Sequence, residues 1–322
     1  SFFIFHSDFL IIFMDISFLK KMGVPLFSFR SLFKGQRSFI GIDIGLFSAK
    51  IVQLRYQSGR AILETYGELR TTNYLKQTEG NISSGFLKHA DNDISSLLKD
   101  LLHEAKITTN EAVFAIPVST SFITTIPFPR LSEKELQEAI PYEARKYIPI
   151  PIAEVILNWD ISEPTEDRNT INVLLVAVPV QVVEKFRRIT ALVELHERAI
   201  EIETFSTMRA LATHDAAVAA IVNMGHIATT VAVVERGSLR LARSIAQGGM
   251  QITNTLERGL GVSNERAELI KREVGLSERI EEREVVAIIE PFIASLFNEI
   301  ERFTTFYNRK YSQKIQKIIL TG

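Results

Sequence analysis

The chain has 322 residues, 46% hydrophobic and 23% charged, which excludes a mainly disordered chain and allows two domains or one large one. Its 37 Lys and Arg against 38 Asp and Glu leave a formal charge of -1, so no global basic field exists to hold nucleic acid. With no cysteine, disulfides, thiolate zinc sites, iron–sulfur ligation and a Cys nucleophile are excluded, and the six His are scattered without metal-ligand spacing.

Ser1 to Lys21 is rich in Phe and Ile, but His6, Asp8 and Asp15 interrupt it before it reaches the length of a spanning helix. No basic region precedes it and no small-residue cleavage site follows, which argues against a signal peptide. Residues 1–38 therefore read as a leader. It is either untranslated ahead of Met22 or a membrane-proximal stretch, in which Phe27, Phe29, Leu32 and Phe33 alternate with Arg30, Lys34 and Arg37.

Phe39 to Ile44 and Ala49 to Arg55 read as two strands joined by a tight turn at Gly45, and Arg60 to Glu68 as a third. Thr71 to Gly85 is polar and without pattern, Asp93 to Ala105 has helical spacing, and Glu111 to Pro117 is a buried strand. Ser119 to Phe128 alternates like a strand. Ser132 with Glu135 has capping-box spacing, opening a helix to about Tyr147. Val155 to Ile161 and Ile171 to Val178 follow as strands with Glu163 to Thr170 as their tip, then a helix from Val180 to Glu194. Ile200 to Glu203 and a helix from Phe205 to Thr213 lead to three strands, Ala217 to Asn223, Thr229 to Val234 and Ser238 to Ala246. Helices from Gly261, a long helix from about Glu290 to Arg309 and a strand from Ile315 to Leu320 complete the chain. Phe39 to Gln53 resembles Ala220 to Val234, which suggests an internal duplication.

The chemistry is concentrated in GIDIGLFSAK, Gly41 to Lys50. A carboxylate at the end of a buried strand, a glycine and a turn with a hydroxyl make a phosphate-holding hairpin. In it Asp43 reaches a bound Mg²⁺ through water, and Lys50 offsets phosphate charge. An ordinary hairpin whose Asp43 caps the turn remains the alternative for this motif alone. NMGHIATT, Asn223 to Thr230, repeats the pattern, and two such hairpins suit a clamp on a triphosphate.

These hairpins, EARKYIPIP at Glu143 to Pro151, QGG at Gln247 to Gly249, AELIK at Ala267 to Lys271 and IILTG at Ile318 to Gly322 together resemble the PilM family of type IV pilus assembly proteins, actin-like ATP-binding proteins related to FtsA. The resemblance spans about Phe39 to Gly322. It implies an α/β, two-lobed actin-like fold of the actin, Hsp70 and sugar-kinase superfamily, with an inserted small α+β subdomain and an incomplete second lobe. The implied division is 39–118 and 196–216 for the first lobe, 119–195 for the insertion and 217–322 for the second lobe.

The resemblance further implies ATP and Mg²⁺ as ligands. Asp43, Gly45, Ser48 and Lys50 take the first phosphate loop, Asn223, Gly225, Thr229 and Thr230 the second. Glu268 and Lys271 flank the ribose and adenine, and Thr321 with Gly322 begins the adenosine loop; an i, i+3 helix pair is the alternative for Glu268 and Lys271. Asn223 stands where the second loop usually carries Asp, so nucleotide binding is expected ahead of efficient hydrolysis. Leu46 and Phe47 replace small polar residues at the first tip. Either that tip points away from the phosphates or the γ-phosphate pocket is crowded.

The implied partners are the cytoplasmic tail of a PilN-like inner-membrane protein, captured as an extended peptide beside the insertion, and the pilus motor ATPases. Membrane association would be peripheral and the location the cytoplasmic face of the inner membrane. Tyr142, Tyr147 and Ile148 read as core, and Arg145 and Lys146 as a solvated helix face. An FtsA-like filament protein is the nearest rival. A sugar or acetate kinase of the same superfamily is further off, because no motif supplies its catalytic carboxylate.

Overall fold

The computed structural model describes residues 37–57, 60–75, 89–164, 169–212 and 217–322. The leader reading, the tip of the Glu163 to Thr170 connection and most of the polar Thr71 to Gly85 stretch lie outside them. The chain divides into two compact units, one running to His214 and taking in Gly237–Arg240, the other made of Asp215–Arg236 and Leu241–Gly322.

The first unit begins with β1 (Arg37–Ile44), β2 (Ser48–Gln57) and β3 (Arg60–Arg70), an antiparallel meander that β4 (Glu111–Ile116) and β8 (His196–Ile202) extend in parallel, giving the order β3-β2-β1-β4-β8. β1 is central, so Ile40, Ile42 and Ile44 are buried. Helix α1 (Asp91–Glu104) lays Ile94, Leu97, Leu98 and Leu101 into the core with the 3.6-residue spacing read from the sequence. A further helix, here α3 (Val180–Leu192), packs beside it: Phe186 meets Phe114 of β4 edge-to-face at 5.8 Å, and buried Lys185 pairs with Asp91 at 2.8 Å.

Within the same unit, β5 (Phe122–Pro129), β6 (Val155–Pro164) and β7 (Thr170–Pro179) form a second sheet in the order β5-β7-β6. Helix α2 (Glu133–Ala144) covers one face, burying Leu136, Ile140 and Ala144 against Ile126, Trp159, Val173 and Leu175. The capping box is present: Ser132 N donates to the Glu135 carboxylate at 2.8 Å and Glu135 N to Ser132 Oγ at 3.4 Å. The helix ends at Ala144, with Arg145 to Tyr147 forming a turn, three residues short of the sequence reading. Helix α4 (Glu203–Ala212) follows β8 directly.

The second unit repeats the opening topology. Strands β9 (Ala219–Met224), β10 (Thr229–Glu235) and β11 (Ser238–Ile245) form a meander, and β12 (Lys317–Thr321) adds in parallel beside β9, giving β11-β10-β9-β12. Helix α7 (Arg283–Tyr311) packs Leu296, Ile300, Phe303 and Tyr307 on Val222, Val231 and Val233. It starts seven residues before the expected Glu290, because Pro291 lies inside the helix instead of opening it. Helices α5 (Gly249–Leu260) and α6 (Asn264–Glu273) pack with Ile289 of α7 around Leu256 and Ala267.

Candidate functional site: two phosphate-loop hairpins and an ion-pair cluster

The two glycine turns have the same geometry. In the first, Gly45 N donates to Ser48 O at 3.0 Å and Asp43 pairs across the ladder with Lys50; in the second, Gly225 N donates to Ala228 O at 3.0 Å and Asn223 pairs with Thr230. A Cβ on Gly45 or Gly225 would stand 2.9 Å from the carbonyl oxygen that closes its own turn, so both positions require glycine. Aligned by register, Asp43 corresponds to Asn223 and Gly45 to Gly225, one residue off the segment comparison made from sequence. The charged cross-strand neighbours Asp43 and Lys50 of the first copy are replaced by the uncharged Asn223 and Thr230 in the second.

The first tip is tied back to its own sheet. Thr71, buried at the end of β3, donates its hydroxyl to Leu46 O at 2.7 Å and its amide to Phe47 O at 2.9 Å. The Arg70 guanidinium sits 5.5 Å over the Phe47 ring. Among the described residues the Leu46 amide carries no internal acceptor, which leaves a donor at the tip. Ser48 donates its hydroxyl to Glu68 at 2.6 Å, so its proton is already committed.

Asp43 stands at the carboxyl end of β1 and Glu203 just past the end of β8, with β4 between them. Burial raises the Asp43 carboxyl above the usual range, against the pull of Lys50. Burial also raises Glu203 to about 7; the Val118 amide, which donates to it at 3.1 Å, lowers it, and the Asp43 charge adds to the rise. Carboxylate oxygens of this kind suit Mg²⁺. No group of three or more His, Cys, Asp or Glu is placed for a metal among the described residues, so a cation beside Asp43 would complete its shell with water and phosphate oxygens.

In the second unit, the carbonyls of the hairpin tip cap α5. Gly249 N donates to Gly225 O at 3.0 Å and Met250 N to His226 O at 2.7 Å, which satisfies amides that would otherwise face a ligand at the helix N-terminus. Gly248 allows this contact, since a Cβ there would come within 2.6 Å of Gly225 O. Thr229 is fully buried and donates to Gln247 O at 2.7 Å, which fastens β10 to the same turn. Thr230 is buried beside it.

Glu268 and Lys271 lie on α6 and bond each other at 2.5 Å. Lys271 also donates to Gly249 O at 3.1 Å and Thr253 Oγ1 at 2.9 Å, so its three ammonium hydrogens are all engaged. Burial would raise Glu268, but bonds from Lys271, Arg272 and Thr253 hold it down at about 2. Nearby His226 is held down at about 4, by burial first and then by the Lys271 charge. Gly322 lies against the Met224 backbone so closely that no side chain fits there, which brings the chain end beside the second hairpin.

Thus, within each unit, the structure groups Asp43, Gly45, Ser48 and Lys50 on one hairpin, and Asn223, Gly225, Thr229, Thr230, Glu268, Lys271 and Gly322 around the other. Sequence reasoning missed Thr71, Glu68 and Glu203. Thr71 heads a polar run with no periodicity and Glu203 is one acidic residue at a strand end, so neither carried a local signal. In the insertion, Ile148 is buried as expected, but Tyr142 and Tyr147 are 69% and 45% exposed, contrary to the core reading. Leu136, Ile140 and Ala144 already fill the inner face of α2, and Arg145 lies 5.1 Å over the outward Tyr142 ring.

The family described as "Type IV pilus assembly protein PilM" matches residues 41–322. Among solved structures, a PilM-PilN type IV pilus biogenesis complex is similar at 20% identity and a TM-score of 0.72, over 89% of this chain and 82% of that one. Ethanolamine utilization protein EutJ from Carboxydothermus hydrogenoformans is similar at 13% identity and a TM-score of 0.55, over 89% of this chain and 77% of that one. At these identities the likeness is one of fold.

Proposed function

Because the chain belongs to the family of type IV pilus assembly protein PilM and has its actin-like fold, we propose that it is an ATP-binding scaffold at the cytoplasmic face of the inner membrane that holds the tail of a PilN-like partner. The observation that carries the nucleotide reading is the repeated hairpin, with the same closing hydrogen bond and the same obligatory glycine in both copies. One such turn is a common hairpin. Its recurrence, each time joining two inner strands of its sheet, supports the phosphate reading.

In this reading Mg²⁺, when bound, neutralises phosphate charge, and Asp43 holds its water shell. Lys50 offsets further negative charge and Leu46 offers its amide. Asn223 supplies an amide in place of a carboxylate, which positions a water but takes no proton from it, so turnover is slow and binding dominates. Ser48 and Lys271 act through the loops they brace, because their donors are engaged within the protein. The family comparison also supports a PilN-like tail as partner, and the outward Tyr142 and Tyr147 are suited to such a contact.

Calorimetry of Mg-ATP, with and without a peptide from the PilN-like protein's cytoplasmic tail, tests this. The expected result is ATP binding that changes peptide affinity, the ratio giving the coupling free energy. Peptide binding with no ATP heat would overturn the nucleotide half and leave a nucleotide-independent adaptor.

A further inference from the structure

The outer face of the C-terminal half of α7 has no role in the function above. While Leu296, Ile300, Phe303 and Tyr307 are buried on the second sheet, Arg302, Phe306, Arg309 and Lys310 fall at i, i+4, i+7 and i+8 and are exposed. Phe306 is 52% exposed, with Lys310 Nζ 5.7 Å from its ring centre. Although the whole chain carries -1, the segment from Arg302 to Gly322 has Arg302, Arg309, Lys310, Lys314 and Lys317 and no acidic residue.

Cations in the last turn complement the helix C-terminus, which accounts for the sign of Arg309 and Lys310. It does not account for a large aromatic ring exposed in their midst. A desolvatable ring among charged residues is the composition of a protein-binding hot spot.

We propose that this stripe docks an acidic amphipathic helix of a partner protein, carboxylates meeting Arg302, Arg309 and Lys310 and an apolar side chain covering Phe306. The spacing is that of two packed helices, in which residues four and seven apart face the same partner. An anionic lipid surface fits less well, because an interfacial helix inserts a continuous apolar face and Phe306 is the one large apolar side chain on this stripe. The docking needs no nucleotide, so its failure and that of the ATP reading are separable.

The test uses the whole chain with a synthetic helical peptide carrying Glu and Leu at the matching spacing, against its Glu-to-Gln and Leu-to-Ser versions and phosphatidylglycerol vesicles. Fluorescence anisotropy should show binding of the Glu/Leu peptide, weakened at least about tenfold by Arg309→Gln with Lys310→Gln, by Phe306→Ala, and by either peptide change. Arg309→Glu with Lys310→Glu should restore binding to a Lys/Leu peptide. Circular dichroism confirms that each variant is folded; the Gln pair leaves the helix intact if the Glu pair does not. Equal affinity in all variants, or binding insensitive to Leu-to-Ser, overturns the proposal. Vesicle binding that depends on these residues without peptide binding replaces it with a lipid surface.

Discussion

A glycine whose missing Cβ faces a backbone carbonyl gives the sharpest expectation at the scale of single residues. Gly45→Ala and Gly225→Ala each set a methyl against the oxygen that closes the turn, and neither oxygen can retreat without breaking its 3.0 Å bond. Each should cost about 1–3 kcal/mol in chemical denaturation. Gly41→Ala, whose Cβ would meet only the end of the Val52 side chain at 3.2 Å, should cost less; equal losses at all three would mean that strand propensity, not turn closure, is being measured. Asp43 has the opposite character. Burial disfavours its charge, so Asp43→Asn should leave thermal stability unchanged or raised while weakening Mg-ATP binding at least about tenfold by calorimetry. A destabilised Asn variant would assign Asp43 to the fold instead.

At the scale of elements, α5 and α6 are joined through one ammonium. Lys271→Met removes its bonds to Gly249 O, Thr253 and Glu268 and leaves a mostly buried carboxylate with fewer partners, so a loss of about 1–3 kcal/mol is expected. Arg272 is half exposed and touches the same carboxylate at 2.8 Å; Arg272→Met should cost under about 1 kcal/mol. Similar losses would show that Glu268 needs any cation and not the Lys271 bridge. The Glu268–Lys271 pair on α6 was legible in AELIK, but α5 and the bridge to it were not, since Lys271 and Gly249 are 22 positions apart and no periodicity links them. The same limit explains Tyr142. Helical spacing identifies which residues share a face, and the inner face of α2 was already filled by three smaller residues. By contrast, the capping box at Ser132 and the meander strands depend on neighbours within a few positions and were legible directly.

For the whole molecule, the two units share a meander with one parallel strand added beside it but differ in electrostatics, and pH should separate them. Glu203 titrates near 7 in the folded first unit against an ordinary 4.5, so between those values the native state binds the extra proton. The stability of that unit falls as pH rises through this window and is gained on acidification, by about 1–3 kcal/mol. In the second unit His226 is held near 4 against 6.5, so its unfolded form takes the proton first and stability is lost as pH falls through that range. Glu268, near 2 against 4.5, adds a further loss below 4.5. Trp159, the single tryptophan, lies in the first unit and is buried there, so its fluorescence reports that unit alone. From pH 7 to 5, the unfolding temperature read from Trp159 should rise while protection of the β9 and β10 amides against hydrogen exchange should fall. Glu203→Gln should weaken the first trend, to which the burial-raised Asp43 and Glu197 also contribute, and His226→Gln should abolish the second. If both probes move together in the unmodified protein, the two units unfold as one and the opposed titrations cancel in a single transition.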